Sequence, residues 1–263
     1  LKVKEYAEQG YTHAVALDLS KYFDTLNQEM LLNILRRDVK DERVIQWIKR
    51  YLKSGVMENG IVMETEEGSP QGGNLSPLLA NVYLNEFDQE YEKRGVAFVR
   101  YADDIVLLAK SERAAKRLLE SSTKYLEKTL KLKVNQKKSR VVSVFAIRNF
   151  KFLGFTLGKN GKGIYVRVHG KSWKKMKSKL KDLSSRRSVQ SIRPSLEKIK
   201  VYMRGWLNYY GVADMKNRIE GLNQWLYHRI RMCIWKQWKK PKTKVKNLLK
   251  MGVPKELAWK AGN

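Results

Sequence analysis

The chain has 263 residues, of which 43% are hydrophobic and one is cysteine, Cys233. That is enough for one large domain or two smaller ones with a real core, and it excludes an internal disulfide framework or a cysteine-type zinc site. The net charge of +28 is lopsided, since residues 1–157 carry 26 basic and 21 acidic side chains and residues 158–263 carry 28 and 5. A pI near 10 concentrated in one half points to a polyanionic partner such as nucleic acid. No apolar run approaches the roughly 20 residues that span a bilayer, and no signal peptide is legible. An intracellular, reducing setting is expected.

In chain order, Thr12 to Leu19 is a short apolar run that ends at Asp18 and predicts a buried strand. Asn27 opens a helix with Leu31, Leu32 and Leu35 at helical spacing, and Asp41 caps the next through Val44, Ile45, Trp47 and Ile48. Val56 to Glu67 holds Asn59-Gly60 between two strand-like pieces, a hairpin signal. A loop bearing glycine and proline, Gly68 to Asn74, precedes a helix over Leu75 to Tyr91 with Leu79, Val82, Tyr83 and Phe87 on its apolar face.

Val96 to Val99 and Ile105 to Leu108 flank Arg100-Tyr101-Ala102-Asp103-Asp104, which predicts a hairpin with two acids at its tip. Ser111 opens a helix to about Leu130. Phe150 to Leu157 and Ile164 to Val168 read as strands joined by the turn Gly158-Lys159-Asn160-Gly161. From there the pattern is helical and basic, over 172–184, 194–210, 217–238 and 243–250, and the break near Gly170 is the expected domain boundary. No internal repeat is visible.

Adjacent carboxylates repel each other, and Asp18, Asp103 and Asp104 sit within apolar runs where unpaired charge is expensive. A cation resolves the cost. Oxygen ligands suit a hard ion such as Mg²⁺, and two ions about 3.5–4 Å apart stabilise the attacking and leaving oxygens of a phosphoryl displacement. Asp18 can meet the pair only if its strand and the hairpin are neighbours in one sheet. A bare Asp-Asp is otherwise an ordinary turn.

Five ordered motifs carry a resemblance. Tyr101-Ala102-Asp103-Asp104 resembles the signature hairpin of reverse transcriptases. The run from Asp18 to Asp24 is similar to the motif bearing their first metal-binding aspartate. Ser69 to Pro77 resembles the loop and helix against the incoming nucleotide and template. Asn135 to Ser139 and Phe152 to Phe155 are similar to the next two motifs in the same order.

The resemblance implies that Asp18 and Asp103 hold two Mg²⁺ ions, with Mn²⁺ able to substitute, that the Leu19 carbonyl helps at one, and that Asp104 is essential beside them. It places Phe23 under the sugar of the incoming nucleotide, where a ring would crowd a 2′-hydroxyl; a plain core position is the other reading. It sets Gln71 near the nucleotide, in a loop whose glycines permit close approach. Lys138, with Lys137 a close second, is expected to meet the pyrophosphate. Phe152, Leu153 and Gly154 are expected near the primer end, or simply in a core strand.

In the basic half, Trp225, Tyr227, Trp235 and Trp238 interleave with Arg229, Arg231 and Lys236. The aromatics fit a helical core and the cations an outer face for phosphates. Gly205-Trp206-Leu207-Asn208-Tyr209-Tyr210 and the stretch from Gly252 to Asn263 resemble the thumb, or maturase, region of group II intron-encoded proteins. The expected fold is therefore α+β: a right-hand polymerase palm over 1–169, with an antiparallel sheet and packed helices, followed by an all-α basic thumb or maturase domain over 170–263. Upstream fingers are expected outside this sequence, and the basic domain is expected to be truncated.

The resemblance further implies RNA-directed DNA polymerisation from deoxynucleoside triphosphates on an RNA template with a DNA primer. Binding of intron RNA would assist splicing and mobility, in a bacterial cytoplasm or an organelle. A splicing maturase with an idle polymerase core and a reverse transcriptase of another prokaryotic lineage stand as alternatives.

Overall fold

A computed structural model describes residues 1–54, 56–58, 61–63, 67–70, 72–185 and 192–262. It divides into two compact units, Leu1–Ile164 and Tyr165–Asn263. Among the described residues, no helix is long and apolar enough to cross a membrane.

The first unit begins with α1 (Lys2–Glu8), β1 (His13–Leu17), α2 (Tyr22–Thr25), α3 (Gln28–Asp38) and α4 (Glu42–Lys53). It continues with β2 (Val56–Glu58), β3 (Ile61–Met63), α5 (Ser76–Lys93), β4 (Phe98–Tyr101), β5 (Asp104–Ala109), α6 (Glu112–Lys124) and β6 (Arg140–Ser143). A π-helical turn, Tyr125–Thr129, closes α6. The helix starts follow side-chain chemistry. Asn27 accepts from the Met30 N–H at 2.8 Å, Asp41 from the Arg43 N–H at 2.9 Å, and Ser111 from the Ala114 N–H at 3.2 Å. Each satisfies a backbone donor that the helix itself leaves without a partner.

Four strands form one antiparallel sheet in the order β4-β5-β1-β6. In the centre, Val15 lies opposite Leu107 on one side and Val141 on the other, and Leu17 lies opposite Ile105. Every residue of β5 after Asp104 is buried, which is why it reads as a continuous apolar run rather than an alternation. Helix α5 contributes Leu79, Tyr83, Leu84, Phe87 and Tyr91 to the same core as Val15, Leu17, Ile105 and Leu107. Phe87 stacks on Tyr91 at 4.2 Å and meets Phe98 edge-on at 6.2 Å. The Tyr83 hydroxyl donates to the Leu130 carbonyl at 2.6 Å, so the polar tip of a buried ring is paired.

Strands β7 (Phe155–Asn160) and β8 (Gly163–Val168) make a separate two-stranded sheet, and the division between the units falls within β8. The expected strand over Phe150 to Leu157 is not formed as one piece. Phe152 and Phe155 exchange backbone hydrogen bonds of 3.0 and 2.8 Å across Leu153-Gly154, whose φ values are 49° and 85°. Two successive left-handed residues reverse the chain, so β7 starts only at Phe155. The expected turn at 158–161 also moves. β7 runs through Asn160, whose side chain accepts from the Lys162 N–H at 3.0 Å and turns the chain there. The 56–67 hairpin pairs as expected for β2 and β3, while its Asn59-Gly60 tip lies outside the described residues.

The second unit holds α7 (Gly170–Leu183), α8 (Arg193–Tyr210), α9 (Lys216–Gln237), α10 (Pro241–Lys250) and α11 (Lys255–Gly262). Trp173 of α7 meets Trp206 of α8 edge-on at 5.7 Å. Arg229 of α9 binds the end of α7 through the Ser184 hydroxyl at 2.7 Å and the carbonyls of Lys181 and Ser184 at 2.9 and 3.1 Å.

Phe87→Ala is expected to destabilise the first unit by about 3–5 kcal/mol, because it empties a ring-sized volume between helix and sheet. Urea unfolding followed by circular dichroism measures the loss.

Candidate active site

The register of β1 and β5 brings the distant acids together. Leu17 pairs with Ile105, so the next step along both strands sets Asp18 beside Asp104. Tyr101 pairs with Asp104, which leaves Ala102 and Asp103 as a two-residue turn. Asp104 therefore starts β5, and Asp103 alone of the pair lies in the turn itself.

Asp18 is held from the other edge. Its backbone N–H donates to Ser139 Oγ at 3.0 Å, its carbonyl accepts from the Asn135 N–H at 2.8 Å, and its Oδ2 lies 3.5 Å from Lys138 Nζ. Leu19 is bridged to Val134, with the flanking bonds made by the Ser20 N–H and the Asp18 carbonyl. In an antiparallel ladder that pattern turns the Leu19 carbonyl away from Val134.

The Asp104 carboxyl is pushed above its ordinary range. Desolvation is the first cause, although the residue as a whole is exposed; the like charge of Asp103 follows, Lys151 opposes, and Asp18 adds a further raise. Asp104 thus feels both other acids. Among the described residues, however, no three His, Cys, Asp or Glu side chains converge closely enough to hold an ion by themselves. Mg²⁺ takes one or two carboxylates together with substrate phosphates rather than a closed protein cage. An all-oxygen, mutually repelling donor set fits a hard divalent ion of that kind.

A second layer lies against the backbone of α2. The Ser69 N–H donates to the Phe23 carbonyl and the Gly68 N–H to the Leu26 carbonyl, both at 2.7 Å. A Cβ on Gly68 would stand 2.7 Å from the Asp24 oxygen, and Gly68 has φ of +86°, so glycine is required twice over. Phe23 itself is half-buried against the core, 5.5 Å from the Tyr22 ring. Ser69 Oγ donates to Ser76 Oγ at 2.8 Å, and Ser76 Oγ donates to the Pro70 carbonyl at 2.7 Å. With that hydrogen spent, the 2.8 Å contact between Tyr51 and Ser76 must be donated by the Tyr51 hydroxyl. Gln71 lies outside the described residues.

The remaining expected residues lie on a turn of the first unit and on α9 of the second. Phe152, Leu153 and Gly154 form the tight turn already described, with Gly154 buried. Lys151 just before it is near enough to Asp104 to act on its charge. Arg231 is exposed on α9, and Arg229 directs Nε and Nη2 to the end of α7. The sequence reading missed Ser139 and Arg100 as site residues. Ser139 stood inside the quoted Asn135 to Ser139 motif; Arg100 gave no signal beyond adjacency to the acids.

An antiparallel sheet with three acids at the ends of its central strands, backed by helices and followed by a helical unit, defines a polymerase palm with an appended helical domain. Residues 3–157 match the reverse transcriptase (RNA-dependent DNA polymerase) family, and residues 173–252 match the group II intron maturase-specific domain. The chain belongs to the reverse transcriptase family, and its second unit carries the match to the maturase-specific domain.

Among curated proteins it is 33% identical to Protein YkfC of Escherichia coli K12, covering 53% of this chain and 45% of that protein. It is 42% identical to the group II intron-encoded protein LtrA of Lactococcus lactis subsp. cremoris, covering 27% and 12%. The chain thus spans less than half the length of these relatives. Among solved structures, apo telomerase from Candida tropicalis truncated from its C-terminal domain superposes with a TM-score of 0.50 at 15% identity, over 64% of this chain and 38% of that one. That likeness is one of fold.

A raised carboxyl pKa means that the folded chain binds the Asp104 proton more tightly than the unfolded chain. Stability therefore falls as pH rises from the ordinary carboxylate range through the raised value, and the penalty is complete above it. In chelator, Asp104→Asn is expected to raise Tm at pH 7–8, with the gain shrinking to nothing as pH falls below the ordinary carboxylate range. Thermal scans of both proteins across pH read this directly.

Proposed function

We propose that this chain is the palm and maturase portion of an RNA-directed DNA polymerase encoded by a group II intron, working inside the cell. The observation that carries the reading is the placement of Asp18 beside Asp104 and the Asp103 turn, with Lys138 on the opposite flank of Asp18. Asp18, Asp103 and the Leu19 carbonyl are the oxygens that would hold two Mg²⁺ ions, or Mn²⁺, with Asp104 completing the negative field. When bound, the ions supply charge neutralisation at the reacting phosphate and a more acidic primer hydroxyl.

In the reaction, the primer 3′-oxygen forms a bond to the α-phosphorus of a deoxynucleoside triphosphate. The bond from that phosphorus to the bridging oxygen breaks, and pyrophosphate leaves. The protein's part is positioning and electrostatics. Lys138, exposed and 3.5 Å from Asp18, supplies a positive charge for the departing pyrophosphate. Phe23 sits on a backbone locked by Ser69 and presents its ring to the sugar. The tight turn at Phe152, Leu153 and Gly154 follows Lys151 and faces the primer end. Exposed basic residues of the second unit, Arg231 among them, would grip the phosphates of intron RNA and of the template. The +23 balance of residues 158–263 supports that reading.

The test is primer extension on an RNA template with Mg²⁺ and deoxynucleotides, in the longest parent protein available. Asp103→Asn is expected to lower the single-turnover rate by at least ~100-fold, the scale of losing a group that stabilises the transition state. Intron RNA binding should persist in that variant. Extension that survives the substitution would remove the polymerase reading. Intron RNA binding by a wild-type protein that makes no product would favour a splicing maturase with an idle core.

Phe23→Ala is expected to narrow the preference for deoxy- over ribonucleotides by roughly 10-fold. Competition between the two triphosphates checks it, and an unchanged ratio takes Phe23 out of the sugar site.

A further inference from the structure

The turn that carries Asp103 is not relaxed. Ala102 has a φ of 52°, a left-handed conformation that L-residues other than glycine adopt at a cost. A two-residue turn at the end of an exposed hairpin cannot supply much to offset this from its own contacts, so its neighbour Arg100 becomes informative.

The Arg100 side chain spans three partners. Nε donates to both carboxylate oxygens of Asp88 at 2.8 and 2.9 Å, and Nη2 donates to Asp88 Oδ2. Nη1 donates to Asn81 Oδ1 at 2.9 Å and to the Ala102 carbonyl at 3.0 Å. Four of the five guanidinium N–H groups are thereby used. The ion pair is sheltered, with side-chain exposures of 12% for Arg100 and 20% for Asp88. Asn81 and Asp88 are seven positions apart, on one face of α5, the helix that buries Leu84 and Phe87 completely.

We infer that Arg100 is a positioning residue for Asp103. The Ala102 carbonyl belongs to the rigid planar peptide whose nitrogen is that of Asp103. Holding that oxygen fixes the plane, and with it the direction in which the Asp103 Cα and carboxylate leave the turn. The clamp therefore ties the turn that carries Asp103 to α5. The planar fork is needed, because one group must serve a carboxylate and, at right spacing, an amide and a carbonyl; an ammonium is a point charge and cannot do all three. The inference rests on the proposed polymerase site for its catalytic consequence, but not for the geometry.

Two variants separate aim from mere stability. Arg100→Lys keeps the charge and loses the fork. Asn81→Ala keeps the Arg100–Asp88 pair and frees Nη1 from the partner that shares it with the turn. Two readouts are taken on protein whose fold is checked by circular dichroism and urea midpoint: Mn²⁺ binding by electron paramagnetic resonance without nucleotide, and the single-turnover primer-extension rate per folded molecule. The expected result is weaker Mn²⁺ binding by several-fold for Arg100→Lys, and a rate about 10- to 100-fold lower, the scale of an ångström-sized misplacement. Asn81→Ala should move both in the same direction by less. If Arg100→Lys does not fold, Asn81→Ala decides.

Unchanged Mn²⁺ affinity and unchanged rate per folded molecule in the variant that decides would overturn the inference, as would losses that merely track the unfolded fraction. If the wild type binds Mn²⁺ but extends no primer, the polymerase reading fails and the Mn²⁺ titration alone decides the clamp. If the wild type binds no Mn²⁺ either, the clamp aims nothing and the inference falls.

Discussion

The structure depends on one pairing. β1 and β5 lie side by side in a fixed antiparallel register, and that register forces carboxylates far apart in sequence into one another's field. The core pushes in the same direction. Slipping β5 by one residue would turn Leu107 and Ile105 off the face they share with Val15 and Leu17, so hydrophobic burial holds the acids where their own repulsion would part them. Partial burial first, and then the charges of Asp103 and Asp18, push the Asp104 carboxyl above its ordinary range.

Around that conflict the chain gathers compensating contacts of different kinds. On one flank the segment from Asn135 to Ser139 binds both backbone groups of Asp18 and brings up a lysine. On the other, an arginine ties the turn to α5. Below, hydroxyl groups of Ser69, Ser76 and Tyr51 lock the glycine-bearing loop to the start of α5, where a Cβ on Gly73 would land 1.9 Å from the Tyr51 oxygen. Backbone and side-chain hydrogen bonds thus hold a polar site at the rim of an apolar core.

Much of this was legible beforehand, for reasons that differ by element. β5 was visible because a strand buried on both faces must be apolar throughout, and α5 because Leu79, Tyr83 and Phe87 repeat at helical spacing. The three acids were visible because they break apolar runs. β6 was not, since four residues reading Arg-Val-Val-Ser carry too little alternation to stand out and owe their pairing to β1. The chain around Phe152 misled because two aromatics and a leucine resemble a strand, whereas the backbone there turns through Leu153 and Gly154. The tether of Arg229 was not legible either, because nothing local in sequence could reveal a carbonyl waiting 45 residues upstream.

That last contact bears on how the second unit is assembled in time. The final carbonyls of a helix need partners from outside it, and those of α7 at Lys181 and Ser184 find theirs in Arg229 of α9, with the buried Cys233 thiol adding a contact to Ser184. As the chain leaves the ribosome, α7 emerges with its end unsealed, and the seal arrives only after α8 and half of α9 have followed. The last turn of α7 is therefore completed by a residue of α9.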